Sequence, residues 1–188
     1  VLLGAVIEKV SKMSYGEFLK TRIFEPAGMN RSYFDASREI VPGRASAYEP
    51  LRDGERQDWT EFRNARFYTM SSVYAAGGCL STTEDLFRFQ RALAGGKLLR
   101  KPTLAASYDA AKLRGGGTAR GAAGGWQLAR VNGHRAVMFG GALPGVCTWY
   151  LDLPDEGVSV ILLSNRSPGE PRCGQLAFKL AEISAPPR

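Results

Sequence analysis

Three turn signals between residues 126 and 163 constrain the fold more tightly than any other feature of the chain. Asn132-Gly133 is a dipeptide that accepts the positive φ of a tight hairpin, and it separates residues 126–131 from 134–139. Leu143-Pro144-Gly145 divides the second segment from residues 146–153, and Pro154-Asp155-Glu156-Gly157 divides those from 158–163. Connections this short join antiparallel neighbours, whereas parallel strands need a long crossover. The spacing therefore predicts an antiparallel meander. Its last segment, Val158-Ser159-Val160-Ile161-Leu162-Leu163, is almost wholly apolar, as expected of a strand covered on both faces.

Helical patterns flank this sheet. Ser14-Tyr15-Gly16-Glu17 reads as a capping box, followed by an apolar face of Phe18, Leu19 and Ile23 and a stop at Pro26 and Gly28. Ser81-Thr82-Thr83-Glu84 reads as a second box, opening a helix with Leu86, Phe89 and Leu93 on one face and ending at Gly95-Gly96. A closing helix carries Leu176, Ala177, Leu180 and Ile183 in one stripe. Between about 30 and 80 no period is sustained, and Pro42-Gly43, Pro50 and Asp53-Gly54 punctuate the chain. Long loops of this kind line a functional site or are mobile. Tyr48, Trp59 and Tyr74 are aromatic candidates for a cleft there, with local packing as the other reading. The expected class is α+β: a helical region with long loops over residues 1–110, then antiparallel strands and a closing helix over 111–188.

The stretch Phe139-Gly140-Gly141-Ala142-Leu143-Pro144-Gly145 is the strongest candidate for chemistry. Two glycines at the end of a strand uncover its backbone, so a ligand can approach the main chain. The same glycines also fit a bulge before the turn. Elsewhere the sequence mainly excludes. The net charge of +7 comes from Lys and Arg scattered among acids, without a basic cluster interleaved with aromatics, so no nucleic-acid partner is expected. No apolar run approaches the ~20 residues of a membrane span. The Gly115–Gly125 region lacks the Gly-Lys-Ser/Thr ending of a phosphate loop and reads as a flexible connection. His134 is the one histidine and has no cysteine pair nearby, so neither a metal nor another cofactor is implied. Cys79, Cys147 and Cys173, odd in number and in apolar or Gly-rich contexts, read as small buried residues rather than a disulfide frame. Finally, Leu2, Leu3, Val6, Ile7 and Val10 form a helical stripe from the first residues, and no leader precedes Val1. A domain seldom starts inside a buried-type helix, and we expect an N-terminal portion to be missing.

An ordered string of local matches covers nearly the whole chain. It runs through Leu2-Leu3-Gly4, Ile7-Glu8-Lys9-Val10-Ser11, Ser14-Tyr15, Glu17-Phe18-Leu19, Ile23-Phe24-Glu25-Pro26 and Gly28-Met29. It continues through Ala75-Ala76-Gly77-Gly78, Leu80-Ser81-Thr82, Asp85-Leu86, Gly125-Trp126, Gly140-Gly141 with Leu143-Pro144-Gly145, and Leu163-Ser164-Asn165-Arg166. In this order the chain resembles the C-terminal half of the serine β-lactamase/penicillin-binding-protein family, in its esterase-like branch. The resemblance implies a DD-peptidase-like fold and an acyl-enzyme formed on a serine of a Ser-x-x-Lys motif, assisted by Tyr-x-Asn. A serine hydroxyl needs such a neighbouring base because it is a weak nucleophile at its free pKa. Neither motif occurs here: no Ser is followed three positions later by Lys, and no Tyr two positions later by Asn. The expected nucleophile, lysine and tyrosine are thus not in this chain.

The third family motif, Lys/His-Thr/Ser-Gly, falls on Phe139, Gly140 and Gly141. By resemblance these three contact substrate and the backbone N–H of Ala142 serves the oxyanion hole. Phe139 departs from the pattern, since a cation there can attract a substrate carboxylate and phenylalanine cannot. The expected function is that of a serine acyl hydrolase acting on a small-molecule ester or amide, best on uncharged esters. The alternatives are β-lactamase or D-Ala carboxypeptidase-type activity, or a non-catalytic relative that binds ligand without turnover. Oligomeric state and localisation are not legible.

Overall fold

The structure, a computed structural model, describes residues 1–34, 40–53, 56–119, 122–167 and 172–187. In chain order the elements are α1 (Leu2–Ser11), α2 (Tyr15–Leu19) continued by a π-helical turn (Lys20–Phe24) into α3 (Glu25–Ala27), β1 (Tyr33–Phe34), β2 (Tyr48–Asp53) and β3 (Arg56–Asn64). Then come β4 (Cys79–Leu80), α4 (Thr83–Ala94), α5 (Lys101–Ser107), β5 (Ala122–Ala123), β6 (Trp126–Val131), β7 (His134–Leu143), β8 (Val146–Leu153), β9 (Val158–Ser164) and α6 (Cys173–Ser184). The chain forms two compact units, residues 1–45 with 67–100 and residues 46–66 with 101–188.

In the first unit the Ser14 box forms as its sequence dictates. Ser14 Oγ accepts from the Glu17 amide, and the Glu17 carboxylate accepts from the Ser14 amide. Gly28 ends α3 in the left-handed region at φ 72°, where a Cβ is penalised. The cap of α4 lies one residue later than the sequence suggests: Thr82 is the N-cap and its hydroxyl accepts from the Asp85 amide. Asp85 itself is fully buried and accepts from the Arg31 amide, the Ser32 hydroxyl and the Arg88 guanidinium. These bonds tie the start of α4 to the chain just before β1. Leu2, Leu3, Val6 and Val10 are exposed, and the packed face of α1 is the one carrying Gly4, where a Cβ would lie 2.5 Å from that of Ala75.

The second unit contains the meander. A five-stranded antiparallel sheet runs in the order β5-β6-β7-β8-β9, and the turns at Asn132-Gly133 and Pro144-Gly145 take positive φ at Asn132, Gly133 and Gly145. One face packs on α6 around Val131, Ala136, Leu151, Leu153, Val160, Ala177 and Ala181. Full burial of a leucine such as Leu151 or Leu153 contributes roughly 1.5–3 kcal/mol. Of the anticipated stripe only Ala177 faces the sheet, joined there by Ala181, whereas Leu176, Leu180 and Ile183 are exposed, Ile183 by 80%. Methyl side chains four residues apart lie on one face of the helix and let it approach the sheet closely.

Four further expectations are corrected. Residues 48–64 form an antiparallel hairpin, β2 with β3, whose register shifts between Pro50 and Leu51; Gly54 of the anticipated turn lies outside the described residues. Cys147 and Cys173 form a disulfide with a Cα–Cα distance of 6.4 Å, leaving Cys79 free and exposed. The bridge joins a strand and a helix far apart in sequence, which spacing alone does not reveal. In β9, expected to be covered on both faces, only Val160 is buried, because β9 ends the described sheet and pairs on one side. Within the glycine-rich connection, Lys112 bridges Thr118 and β5 pairs with β6; Arg120 and Gly121 lie outside the described residues.

Candidate active-site edge on β7

The candidate site lies where β7 outruns its neighbour. The ladder between β6 and β7 ends at Gln127↔Met138, while the ladder to β8 continues through Phe139↔Tyr150, Gly140↔Trp149, Gly141↔Thr148, Ala142↔Cys147 and Leu143↔Val146. From Phe139 onward, among the described residues, β7 is therefore paired in the sheet on one side only. Its other side offers backbone donors and acceptors, the arrangement a binding edge requires. All four residues singled out from the sequence lie on this segment. Phe139 is 56% exposed, and Gly141 and Ala142 are exposed as well.

The two glycines have different physical reasons. A Cβ on Gly140 would lie 2.1 and 2.2 Å from Cε3 and Cζ3 of Trp149, so the indole already occupies the place of a side chain. A Cβ on Gly141 would meet only Thr148 Oγ1, at 3.2 Å. That hydroxyl donates to the Gly141 carbonyl at 3.4 Å. Gly140 is thus covered on one face, whereas Gly141 leaves open backbone.

The hairpin base and the end of β9 hold the turn that closes this edge. The Gly145 amide donates to Ser167 Oγ at 2.8 Å, and Ala65 and Ala47 crowd its α-carbon so closely that a Cβ would lie 2.4 and 2.7 Å from theirs. The Tyr48 amide donates to the Asn165 carbonyl, the Ser167 amide to that of Tyr48, and Asn165 Nδ2 to that of Ser46. Tyr48 therefore does structural work at its backbone. Tyr74 belongs to the other unit, its ring 5.3 Å from Tyr15 and 5.9 Å from Phe34; the Trp59 side chain lies outside the described residues.

The environment of Phe139 is apolar and aromatic. Its ladder partner Tyr150 stacks with Trp126 at 5.7 Å, and Trp126 meets Tyr108 at 5.8 Å. Burial, reinforced by the Asp152 carboxylate and Tyr108, pushes the Tyr150 phenol far above its usual range, so it stays protonated and is no base. Tyr108 is raised by burial and Asp152, with Arg135 opposing. Arg135 engages Asp155 at 2.9 Å and lies over the Tyr108 ring. An open cavity of about 380 Å³ lies elsewhere on the sheet, lined by Tyr108, Leu128, Ala129, Arg130 and Arg135. His134 is buried, with Nδ1 2.8 Å from Glu156 Oε1 and Nε2 2.9 Å from the Pro186 carbonyl, a tie between the hairpin turn and the C-terminal segment. Among the described residues no three His, Cys, Asp or Glu side chains gather as a metal site, and no helix is long and apolar enough to cross a membrane.

Sequence reasoning missed Trp149 and the disulfide. The signal for Trp149 would have been two glycines, Gly140 and Gly174, on different elements facing one large ring, and that for the disulfide a strand cysteine and a helix cysteine; only the tertiary structure brings either pair together.

This arrangement of helices and antiparallel sheets is that of the penicillin-binding proteins and their relatives. The beta-lactamase family model matches residues 1–183, and the chain belongs to that family. It is 33% identical over 174 residues to penicillin-binding protein 4* of Bacillus subtilis, covering 88% of this chain and 38% of that protein. Among solved structures, the octameric penicillin-binding protein homologue from Pyrococcus abyssi superposes with a TM-score of 0.77 at 26% identity, over 97% of this chain and 40% of that one. The D-amino acid amidase from Ochrobactrum anthropi, complexed with D-phenylalanine, shares the fold with a TM-score of 0.75 at 22% identity, over 97% and 56%. The chain thus spans between about two fifths and just over half of these relatives.

Proposed function

We propose that the whole protein is a serine acyl hydrolase that works through an acyl-enzyme and prefers small uncharged esters. Membership of the beta-lactamase family supports the reaction class. In this reading the nucleophile and its bases come from elsewhere in the whole protein, because the 188 residues contain neither Ser-x-x-Lys nor Tyr-x-Asn. The chain's own contribution is the β7 edge. The Ala142 N–H donates to the oxygen that gains charge as the tetrahedral intermediate forms, and the open backbone of Gly141 admits the substrate carbonyl. Such a donor acts by being in place before the charge develops, and losing one typically costs about 2.7–4 kcal/mol.

The observation that carries the substrate preference is Phe139. It is exposed at the strand position where the family pattern has a cation, its ladder partner is the neutral phenol of Tyr150, and residues 139–145 contain no charged side chain. An acyl group or alkyl ester gains contact area there, while a carboxylate finds no partner and loses hydration. Full-length protein assayed on a short-chain p-nitrophenyl ester and on a chromogenic cephalosporin tests this reading. Faster turnover of the ester is expected. Faster turnover of the cephalosporin would overturn the ester preference, and failure of a fluorophosphonate to label the protein would replace hydrolysis by ligand binding without turnover.

A further inference from the structure

We infer that Trp149 is a positioning residue for the Gly140–Ala142 edge, gripped between β7 and the first turn of α6, and that Gly174 sets how far the ring presses on the strand. The inference rests on reading Ala142 as the oxyanion donor. On one side the ring fills the space above Gly140, with Cε3 and Cζ3 only 2.1 and 2.2 Å from where a Cβ would stand. On the other side a Cβ at Gly174 would lie 3.1, 3.2 and 3.3 Å from Cη2, Cζ3 and Cζ2 of the same ring. The six-membered ring of the indole is thus held between two glycines of different elements. Neither side has room for a Cβ.

Two further features make this a coupling rather than ordinary packing. Trp149 Nε1 is buried and has no hydrogen-bond partner among the described residues, so contact alone sets the ring's position. The Cys147–Cys173 disulfide closes the arrangement. Cys173 precedes Gly174 at the start of α6, and Cys147 is both two residues before Trp149 and the ladder partner of Ala142. The helix end cannot retreat from the ring without pulling on β8. A side chain added at Gly174 therefore pushes the indole toward Gly140. Two residues of extended backbone carry that shift to the Ala142 N–H.

Gly174→Ala in the full-length protein tests this, with kcat and KM measured on a short-chain p-nitrophenyl ester. Alanine forms helix more readily than glycine, so a purely structural role predicts an unchanged or higher Tm and an unchanged kcat. We expect a Tm no higher than that of the parent protein, because the methyl crowds the indole, a kcat lower by roughly tenfold, and a KM within about twofold, because a displaced donor is felt mainly in the transition state. Adding Cys173→Ser to Gly174→Ala frees the helix end and restores most of kcat. An unchanged kcat in Gly174→Ala overturns the inference, as does a loss that persists in the double variant. Ala142→Pro, which removes the N–H, separates the two levels of the argument. If it retains kcat, the oxyanion reading falls and the inference with it. If it loses kcat by about a hundredfold or more while Gly174→Ala does not, the Trp149 inference alone falls.

Discussion

Gly140 and Gly141 are adjacent and chemically identical, yet their surroundings predict opposite responses to one methyl group. At Gly140 the methyl would overlap the Trp149 ring, so Gly140→Ala should destabilise the fold by about 1–3 kcal/mol, read as a lower urea midpoint at constant m. At Gly141 it would meet only a hydroxyl, and Gly141→Ala should keep stability within about 0.5 kcal/mol while lowering ester turnover, because the methyl projects where substrate approaches. Equal loss of stability in both variants would contradict this division. Strand and turn signals alone make both glycines look alike, since a strand ending Phe139-Gly140-Gly141 marks close approach without saying by what. The approaching body at Gly140 is Trp149, nine residues away and legible only through the ladder.

At the scale of elements, the start of α4 provides a test by pH. Burial works against the Asp85 charge, but bonds from the Arg31 amide, Ser32 and Arg88 outweigh it and hold its carboxyl below the usual carboxylate range. A group whose pKa is lowered by folding adds stability that is present above its unfolded value, ~3.9, and lost as pH falls through the folded one. Asp85→Asn should therefore lose stability at neutral pH and show a flatter acid limb in chemical denaturation between about pH 5 and 2. Parallel acid limbs for the two proteins would count against the ion's role. This cap was legible to within one residue, because Thr82 and Ser81 both suit the position and only the backbone decides between them. Residues 48–64 were less legible: β2 and β3 lack clean alternation, and a register shift breaks their pairing. The covering face of α6 was misjudged for a related reason. Periodicity finds a stripe, but which part of the stripe touches the sheet depends on how closely the helix must approach.

At the scale of the whole molecule, the described sheet ends at β9, which pairs only with β8, and Leu163 on it is exposed. The α1 helix exposes Leu2, Leu3, Val6 and Val10. An unpaired strand edge and uncovered apolar surface both favour association. Residues 1–188 produced alone should therefore elute as mixed oligomers in size-exclusion chromatography with light scattering, and a monomer melting in one sharp calorimetric transition would contradict this. The sequence by itself determined the antiparallel order of β6 to β9, the Ser14 cap, the α4 cap to within one residue and the position of the Phe139–Ala142 segment. Those features follow from turn chemistry and periodicity acting over a few residues. Only the tertiary structure decided why Gly140 must be glycine, which alanines seat α6, and that Cys147 and Cys173 meet. Each of these is a distance between segments far apart along the chain, set by how the sheet and helix pack together.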